Sequence, residues 1–509
     1  MKVLTPQQMA EVDRATIDAG IPGLILMENA ASRVVEFIAE NFSPVSGQRI
    51  VVVCGKGNNG GDGLAIARQL HVRFNPRSLR VVLLNDPEEL QGDAARNLAM
   101  LRASGVQDYR DFGSEMRGAT LVVDAVLGTG LKGPASGVAL DGIVAINTSF
   151  PLAKVIAVDI PSGLSGATGE PPGEYVRAWA TVTFTALKIC HVMPPACNLM
   201  GQLKLAPIGS SPSLFENDPA LLLSLITPET IAPLFAPRPR DSNKGTFGHV
   251  LMVAGSRGKS GAAAMSGLAA LRAGAGLVTV ACPESILDAV ASPHPELMTQ
   301  VLSHTGSFNQ IVKLAEHRTL LAIGPGIGTE PDTVDLVKKL FAELDKPLIA
   351  DADALNCIAR SDWKGGKALR ILTPHPGEMS RLTGKSVPEI QSDRIGAARA
   401  LASERAVIVV LKGERTLIAF PDGRVWINPT GSPAMAKGGT GDILTGMIAG
   451  LLAQFPDDPG RAVAGAVYLH GLAGEIAARN QTEQTVIATD LLRCLPEGIR
   501  AIANVSHQL

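Results

Sequence analysis

The stretch Arg49–Leu70, RIVVVCGKGNNGGDGLAIARQL, decides the fold. After Arg49 it opens on an apolar, β-branched run of the kind that fills a strand buried on both faces. That run ends in Gly55-Lys56-Gly57-Asn58-Asn59-Gly60-Gly61-Asp62-Gly63, and a helical pattern, Gly63–Arg73, follows. A strand that feeds a glycine turn and then a helix begins a parallel βαβ unit. Further runs at Leu79–Leu84, Thr120–Leu127, Lys154–Asp159 and Ala180–Thr185, with a helical pattern at Glu88–Ala103, continue the alternation. The expectation is α/β, a mainly parallel sheet covered on both faces. Upstream, MKVLTPQQMAEVDRATIDAG has no apolar signal core and reads as a helix, with Thr5 capping, Pro6 at the first helical position and Gln8 completing a capping box.

A second α/β series follows the Ser/Pro-rich stretch 209–219 and the proline- and charge-rich stretch 236–244. Its strands are expected at His249–Ala254, Gly276–Cys282, Thr319–Ile323, Pro347–Ala350, Leu369–Thr373 and Val407–Leu411. A hairpin then turns at Pro421-Asp422-Gly423, and a long apolar helix covers Ile443–Ala453. The chain therefore divides into a domain of residues 1–215, a linker of 216–244 and a second domain of 245–509, both domains doubly wound. Ligands in such folds bind at the carboxyl ends of the strands.

Length and composition bound the function. With 509 residues, 46% hydrophobic and 18% charged, the chain is long enough for several cores and too apolar to be disordered. A net charge of −2 lacks the basic excess of a nucleic-acid binder or a polybasic membrane-surface protein, so neither partner is expected. Six cysteines without a C-x-x-C pair, and no apolar run long enough to span a bilayer, predict a cytoplasmic protein with reduced thiols. A homo-oligomer is expected.

Residues Gly55–Gly60 satisfy G-x-G-x-x-G in a strand–turn–helix setting, where backbone N–H groups and a helix N-terminus favour an anion. A tight turn alone explains the glycines, but not Asn58, Asn59 and Asp62 beside them. Asp86, at the end of the second strand, leaves a nicotinamide-dehydrogenase reading open. Asp124 leads into Gly128-Thr129-Gly130-Leu131-Lys132-Gly133-Pro134, and Asp159 into Ile160-Pro161-Ser162-Gly163. Either aspartate alone reads as a helix cap; together on the ligand edge they point to a site.

NNGGDG, VDAVLGTGLKG and VDIPSG, in this order and spacing, resemble the NAD(P)H-hydrate epimerase family over roughly residues 1–215. Its members interconvert R and S NAD(P)HX, in which water has added at C6 of the dihydronicotinamide ring. The resemblance implies a Rossmann-like domain that holds the hydrated dinucleotide on Asn58, Asn59, Gly60, Gly61, Asp62, on Gly128 to Pro134, and on Asp159. It also implies K+ on Asn59, Asp124 and Ser162. The ring nitrogen can help expel the C6 hydroxyl, and a nearby carboxylate would stabilise the cation and handle the proton. Asp159 is the first candidate for that role and Lys132 the second.

In the second domain, Ala436-Lys437-Gly438-Gly439-Thr440-Gly441-Asp442 places clustered glycines ahead of a helix with Asp442 in its first turn, a phosphate cradle. Gly255-Ser256-Arg257-Gly258-Lys259-Ser260 is not a P-loop, because position 253 is Val where that motif needs Gly. GTGD resembles the ribokinase-like superfamily. Together with GAAAMSG (261–267), GPGIG (324–328), TPHPGE (373–378) and LKGERT (411–416), it resembles ADP-dependent NAD(P)H-hydrate dehydratases over about residues 225–505. The implied roles put the hydrated dinucleotide on Ala262, Gly326, His375 and Asp442. They put the adenine nucleotide on Lys412, Gly413, Glu414, Arg415, Thr416 and Gly441, with Asp442 as base and Mg2+ and ADP as cofactor and co-substrate. His375 reads equally as a structural hydrogen-bonder, and Asp351 and Asp353 read equally as groups that orient Mg2+ indirectly or as caps of the next helix. Two other readings stand beside this one: a first domain that binds without turnover, and a small-molecule kinase fused to a dinucleotide-binding module.

Overall fold

The computed structural model describes residues 1–303, 307–359 and 362–505, so the last four residues of the expected second domain lie outside it. The chain forms two compact units, one of Lys2–Leu221 and one from Leu222 onward together with Met1.

The first unit is built on a seven-stranded sheet, every neighbouring pair parallel. Its strands lie side by side as Asp108–Tyr109, Ser78–Leu83, Arg49–Cys54, Leu121–Ala125, Lys154–Val158, Ala180–Phe184 and Gln202–Ala206. In chain order this is 3-2-1-4-5-6-7, the Rossmann order with one added edge strand. The central strand alternates: Ile50, Val52 and Cys54 join a core with Val34 and Leu64, from helices Gly23–Asn41 and Asn58–Phe74. Val51 and Val53 join a separate core with Ile143 and Ile146, from helix Gly137–Ser149. Both faces are thus covered, as an uninterrupted apolar strand requires.

The strand order reverses between Arg49–Cys54 and Leu121–Ala125, so the segments that leave these strands, 55–63 and 126–133, flank the switch point. The helix after the first strand starts at Asn58 rather than Gly63. The glycine run is therefore partly helix, and one reason is packing: a Cβ on Gly60 would lie 1.8 Å from the Gly55 carbonyl oxygen. Here glycine lets the helix rest on its own entry turn. At the N-terminus Thr5 accepts from the Gln8 N–H at 3.2 Å and Gln8 accepts from the Thr5 N–H at 2.9 Å, the expected capping box. The short strand Val3–Leu4 just before it pairs in parallel with Leu187–Lys188.

The second unit has a ten-stranded sheet. From one edge it runs Leu223–Leu225, Val425–Ile427, Leu417–Ala419, Ile408–Leu411, Arg370–Leu372, Leu348–Ala350, Leu320–Ile323, His249–Val253, Leu277–Pro283 and Met298–Leu302. Only Leu417–Ala419 runs antiparallel to its neighbours, the hairpin expected from Asp422-Gly423. Residues 216–244 are not all linker. Leu223–Leu225 pairs with Val425–Ile427, and Ile226, Ile231 and Leu234 are buried in the second unit's core. Helix Thr440–Gln454 crosses helix Ser260–Arg272 so closely that a Cβ on Gly446 would lie 2.1 Å from the Ser266 carbonyl oxygen. Among the described residues no helix is long and apolar enough to cross a membrane.

Candidate active sites

In the first unit, strands Leu121–Ala125 and Lys154–Val158 deliver Asp124 and Asp159 to the switch-point edge. Asp124 is fully buried and accepts from Ser162 Oγ at 2.5 Å, the Ser162 N–H at 2.8 Å and the Val126 N–H at 3.3 Å. Burial pushes its carboxyl up to about 6 against these hydrogen bonds. Ser162 Oγ also accepts from the Leu127 N–H at 2.8 Å. Asn59 lies beside Gly128, where a Cβ would come within 3.4 Å of its Cβ, and both amide atoms of its side chain are buried without a hydrogen-bond partner. Burial without satisfaction is unusual for an amide. Asn59, Asp124 and Ser162 thus gather oxygen atoms around the 127–128 backbone.

Asp159 sits at a positive φ of 66°. Its Oδ1 accepts from Lys188 Nζ at 2.7 Å and Thr183 Oγ1 at 2.9 Å, and Lys188 is itself only 1% exposed. Burial raises the Asp159 carboxyl, but the Lys188 ammonium outweighs it and holds the group below the ordinary carboxylate range. Two further carboxyls feel this charge. Asp62 is pushed well up by burial and then by Asp159 and Asp13. Asp13 is pushed up to about 6 by burial, with Lys188 opposing and Asp159 adding, and its Oδ1 is buried without a partner. Sequence reasoning missed Asp13 and Lys188. Asp13 stands four residues after buried Met9 and three before buried Thr16, on the packed face of helix Pro6–Asp18, and that spacing was the available signal. Lys132 lies in an exposed turn, and the structure does not draw it into the Asp159 network. Asp86 is exposed and accepts from the Glu88 N–H at 3.2 Å, capping the turn Pro87–Glu89.

In the second unit, three adjacent parallel strands end in Asp351, Thr373 and Lys412. Asp351, 1% exposed, accepts from Lys412 Nζ, Thr373 Oγ1 and, from helix Thr440–Gln454, Thr445 Oγ1, each at 2.7 Å. Burial raises its carboxyl, and Lys412 with these hydrogen bonds more than reverses that. Removing one partner of such a pair strands a buried charge, a cost of about 3–5 kcal/mol. Lys412 Nζ also lies 3.6 Å from Glu378, whose other oxygen is 3.5 Å from His375 Nε2. His375 caps helix Pro376–Thr383, its Nδ1 accepting from the Gly377 N–H at 3.0 Å. It is thus both a cap and a member of the cluster.

Asp442 lies in the first turn of helix Thr440–Gln454, which begins after Gly439 at a φ of +92°. A left-handed residue there suits glycine and turns the Thr440–Asp442 backbone toward the strand ends. Burial first, then the Asp351 charge, push the Asp442 carboxyl up to about 6, with Lys412 opposing. A Cβ on Gly441 would stand 3.7 Å from Lys412 Nζ, so the GTGD turn and the LKGERT loop meet. Ala262 and Gly326 also meet: a Cβ on Gly326 would lie 3.2 Å from that of Ala262. Next to them Asp353 accepts from Lys259 Nζ at 3.1 Å and the Gly328 N–H at 2.9 Å. Arg415 instead donates to the Pro429 carbonyl at 2.8 Å, away from this cluster. Asp351, open from sequence between a helix cap and an indirect magnesium role, is the hub of this hydrogen-bonded cluster. Ala352 beside it adopts a positive φ of 49°, a strain of about 1–3 kcal/mol of the kind that marks functional turns.

Residues 250–497 match the family model described as NAD(P)H-hydrate dehydratase, and residues 23–190 match that described as YjeF-related protein N-terminus. The chain is 42% identical to a bifunctional NAD(P)H-hydrate repair enzyme of Moorella thermoacetica, over 98% of this chain and 97% of that protein. It is 35% identical to the enzyme of the same description from Escherichia coli, over 87% and 84%. Among solved structures it is similar to the ADP/ATP-dependent NAD(P)H-hydrate dehydratase of Bacillus subtilis, co-crystallised with ATP/Mg2+. There the identity is 37% and the TM-score 0.51, covering 55% of this chain and 98% of that one.

Proposed function

This chain belongs to the family of bifunctional NAD(P)H-hydrate repair enzymes, and on that premise we propose which residues carry each half of the repair. It is an NAD(P)H-hydrate epimerase joined to an NAD(P)H-hydrate dehydratase. Relatives matched from end to end make the kinase-fusion reading the weaker one. The proposed units are those of the fold, with the boundary at Leu221–Leu222. The cytoplasm is the proposed setting, supported by cysteines that form no C-x-x-C pair.

The observation that carries the dehydratase assignment is Asp442, a half-buried carboxyl at a helix N-terminus beside Lys412 and the buried Asp351. Hydroxide is a poor leaving group and phosphate a good one. Asp442 takes the proton from the C6 hydroxyl of S-NAD(P)HX as the hydroxyl oxygen attacks the terminal phosphorus of ADP, and the bond from that phosphorus to the bridging oxygen breaks to release AMP. The Thr440–Asp442 amides and the Lys412 ammonium receive the negative charge. The ring nitrogen then expels phosphate, a proton leaves the neighbouring carbon, and NAD(P)H results. Mg2+, arriving on the nucleotide phosphates, would offset their charge. Ala262, Gly326 and His375 are assigned to the hydrated dinucleotide, and Gly413 to Thr416 with Gly441 to the nucleotide.

A base must be ionised to act, so dehydration of S-NADHX should fall as pH drops through about 6, the value to which burial lifts Asp442. The assay follows recovery of reduced-nicotinamide absorbance with ADP and Mg2+ across pH 5–8. A rate that holds constant down to pH 5 would contradict this assignment.

For the epimerase, Asp159 is assigned to the cation formed when hydroxide leaves C6, with Lys132 as the second candidate. Water can then return to either face. Asn58 to Asp62 and Gly128 to Pro134 are assigned to the dinucleotide. The unpartnered Asn59 amide, the Asp124 carboxylate and Ser162 Oγ supply the oxygen donors that a monovalent cation takes, and these three would hold K+. Bound there, K+ would offset the buried charge of Asp124. Asn59→Ala or Asp124→Ala should weaken the K+ response of epimerisation by about 10- to 100-fold, as loss of metal-site partners does, while dehydration of the S form persists. K+ titrations of the R/S exchange rate, beside dehydration of pure S form, check this.

A further inference from the structure

The Asp159 assignment leaves three buried groups around it unexplained: Lys188, His191 and Thr183. Lys188 Nζ, besides its 2.7 Å contact with Asp159 Oδ1, donates to Thr183 Oγ1 at 2.9 Å and to the Phe184 carbonyl at 3.1 Å. All three ammonium hydrogens are thus used. The Lys188 backbone N–H donates to His191 Nδ1 at 3.0 Å, which fixes the tautomer. His191 Nε2 must carry the hydrogen, and it lies 3.0 Å from the Asp159 carbonyl oxygen. Burial keeps this imidazole neutral, with its titration pushed down to about 4. The result is a closed loop. The lysine side chain holds the aspartate side chain, and the histidine ties the lysine backbone to the aspartate backbone. The strand that carries Lys188 is in turn paired with Val3–Leu4, ahead of the helix that carries Asp13.

We propose that Lys188 and His191 are positioning residues of the epimerase: Lys188 holds the Asp159 carboxylate charged and aimed, and His191 holds its backbone in the left-handed turn that presents it. This rests on the reading that Asp159 serves epimerisation. A buried ammonium is costly unless it is used, and packing alone would be served by a methionine here. The other charged groups around Asp159 are the Asp62 and Asp13 carboxyls, both of which disfavour its ionisation. Lys188 leads the groups that favour it, with His191 and then the Thr183 hydroxyl behind it.

The test is the pH profile of R/S exchange in the full-length enzyme. Without the ammonium, burial and the two carboxyls should lift Asp159, so that activity requiring its charge is lost earlier as pH falls. In Lys188→Met the acid limb should move upward by about 1–3 on the pH scale. Lys188→Arg should leave that limb in place. His191→Phe should lower the rate at every pH and move the limb upward by less than Lys188→Met, because it removes geometry and only a smaller favourable interaction. If Lys188→Met does not fold, Thr183→Val, an isosteric change on a buried strand, should move the limb in the same direction by less. A wild-type acid limb in Lys188→Met, or in Thr183→Val where that variant decides, overturns the proposal. Epimerisation at the wild-type rate in Asp159→Asn would instead sink the reading beneath it.

Discussion

Asp442→Asn should fail to restore NADH from the S hydrate with ADP and Mg2+, yet still exchange the R and S forms faster than the uncatalysed drift. Asn keeps the size of Asp and its ability to sit in the first helical turn, so helix Thr440–Gln454 and its packing on Ser260–Arg272 should survive. What is lost is the proton acceptor, and a positioned general base contributes about 10²–10⁴-fold. The Asp351–Lys412 pair does not depend on Asp442 for its hydrogen bonds, so the receiving charge stays in place. Single-turnover dehydration of pure S form measures the loss, and chiral chromatography of the residual hydrate measures the exchange that remains. Near wild-type dehydration would remove Asp442 from its role.

The reciprocal variant, Asp159→Ala, should repair the S portion of a mixture quickly and then slow to the spontaneous exchange rate. The carboxylate that stabilises the ring cation is gone, and on the same general acid–base scale the loss is about 10²–10⁴-fold. Alanine also strands the Lys188 ammonium, which keeps only Thr183 and the Phe184 carbonyl, and it must adopt a positive φ. Asp159→Asn is the cleaner companion, because asparagine tolerates that backbone and still accepts from Lys188. Both should show the two-phase progress curve, and a thermal melt separates lost folding from lost chemistry. A single fast phase that consumes the whole mixture would contradict the role given to Asp159.

The buried strands were legible because a strand covered on both faces is apolar at every position, as Ile50–Cys54 and Leu121–Val123 are. The edge strands were not. Gln202–Ala206 and Met298–Leu302 expose most of their side chains, so nothing in their composition distinguishes them from loops. The glycine-rich loops at the strand ends stood out because clustered glycines and polar residues break the apolar pattern. The groups that act through other groups stayed hidden. Asp351 stays open in LIADADAL between a helix cap and an indirect magnesium role, since its partners Thr373, Lys412 and Thr445 come from three other elements. Lys188 ends an ordinary strand-like run, and only the fold brings it 29 residues back to Asp159. Lys132 shows the converse: a motif position that stands out in sequence and lies in an exposed turn.

The central claim is that two separate sites in one chain complete a single repair. Wild-type enzyme with ADP and Mg2+ should therefore be given an equal mixture of R and S NADHX while reduced-nicotinamide absorbance and inorganic phosphate are followed together. Full recovery of NADH from both epimers is expected in one sustained course, with one inorganic phosphate released for each NADH. Recovery that stops at the S half, or a phosphorylated hydrate that accumulates in place of free phosphate, would contradict it.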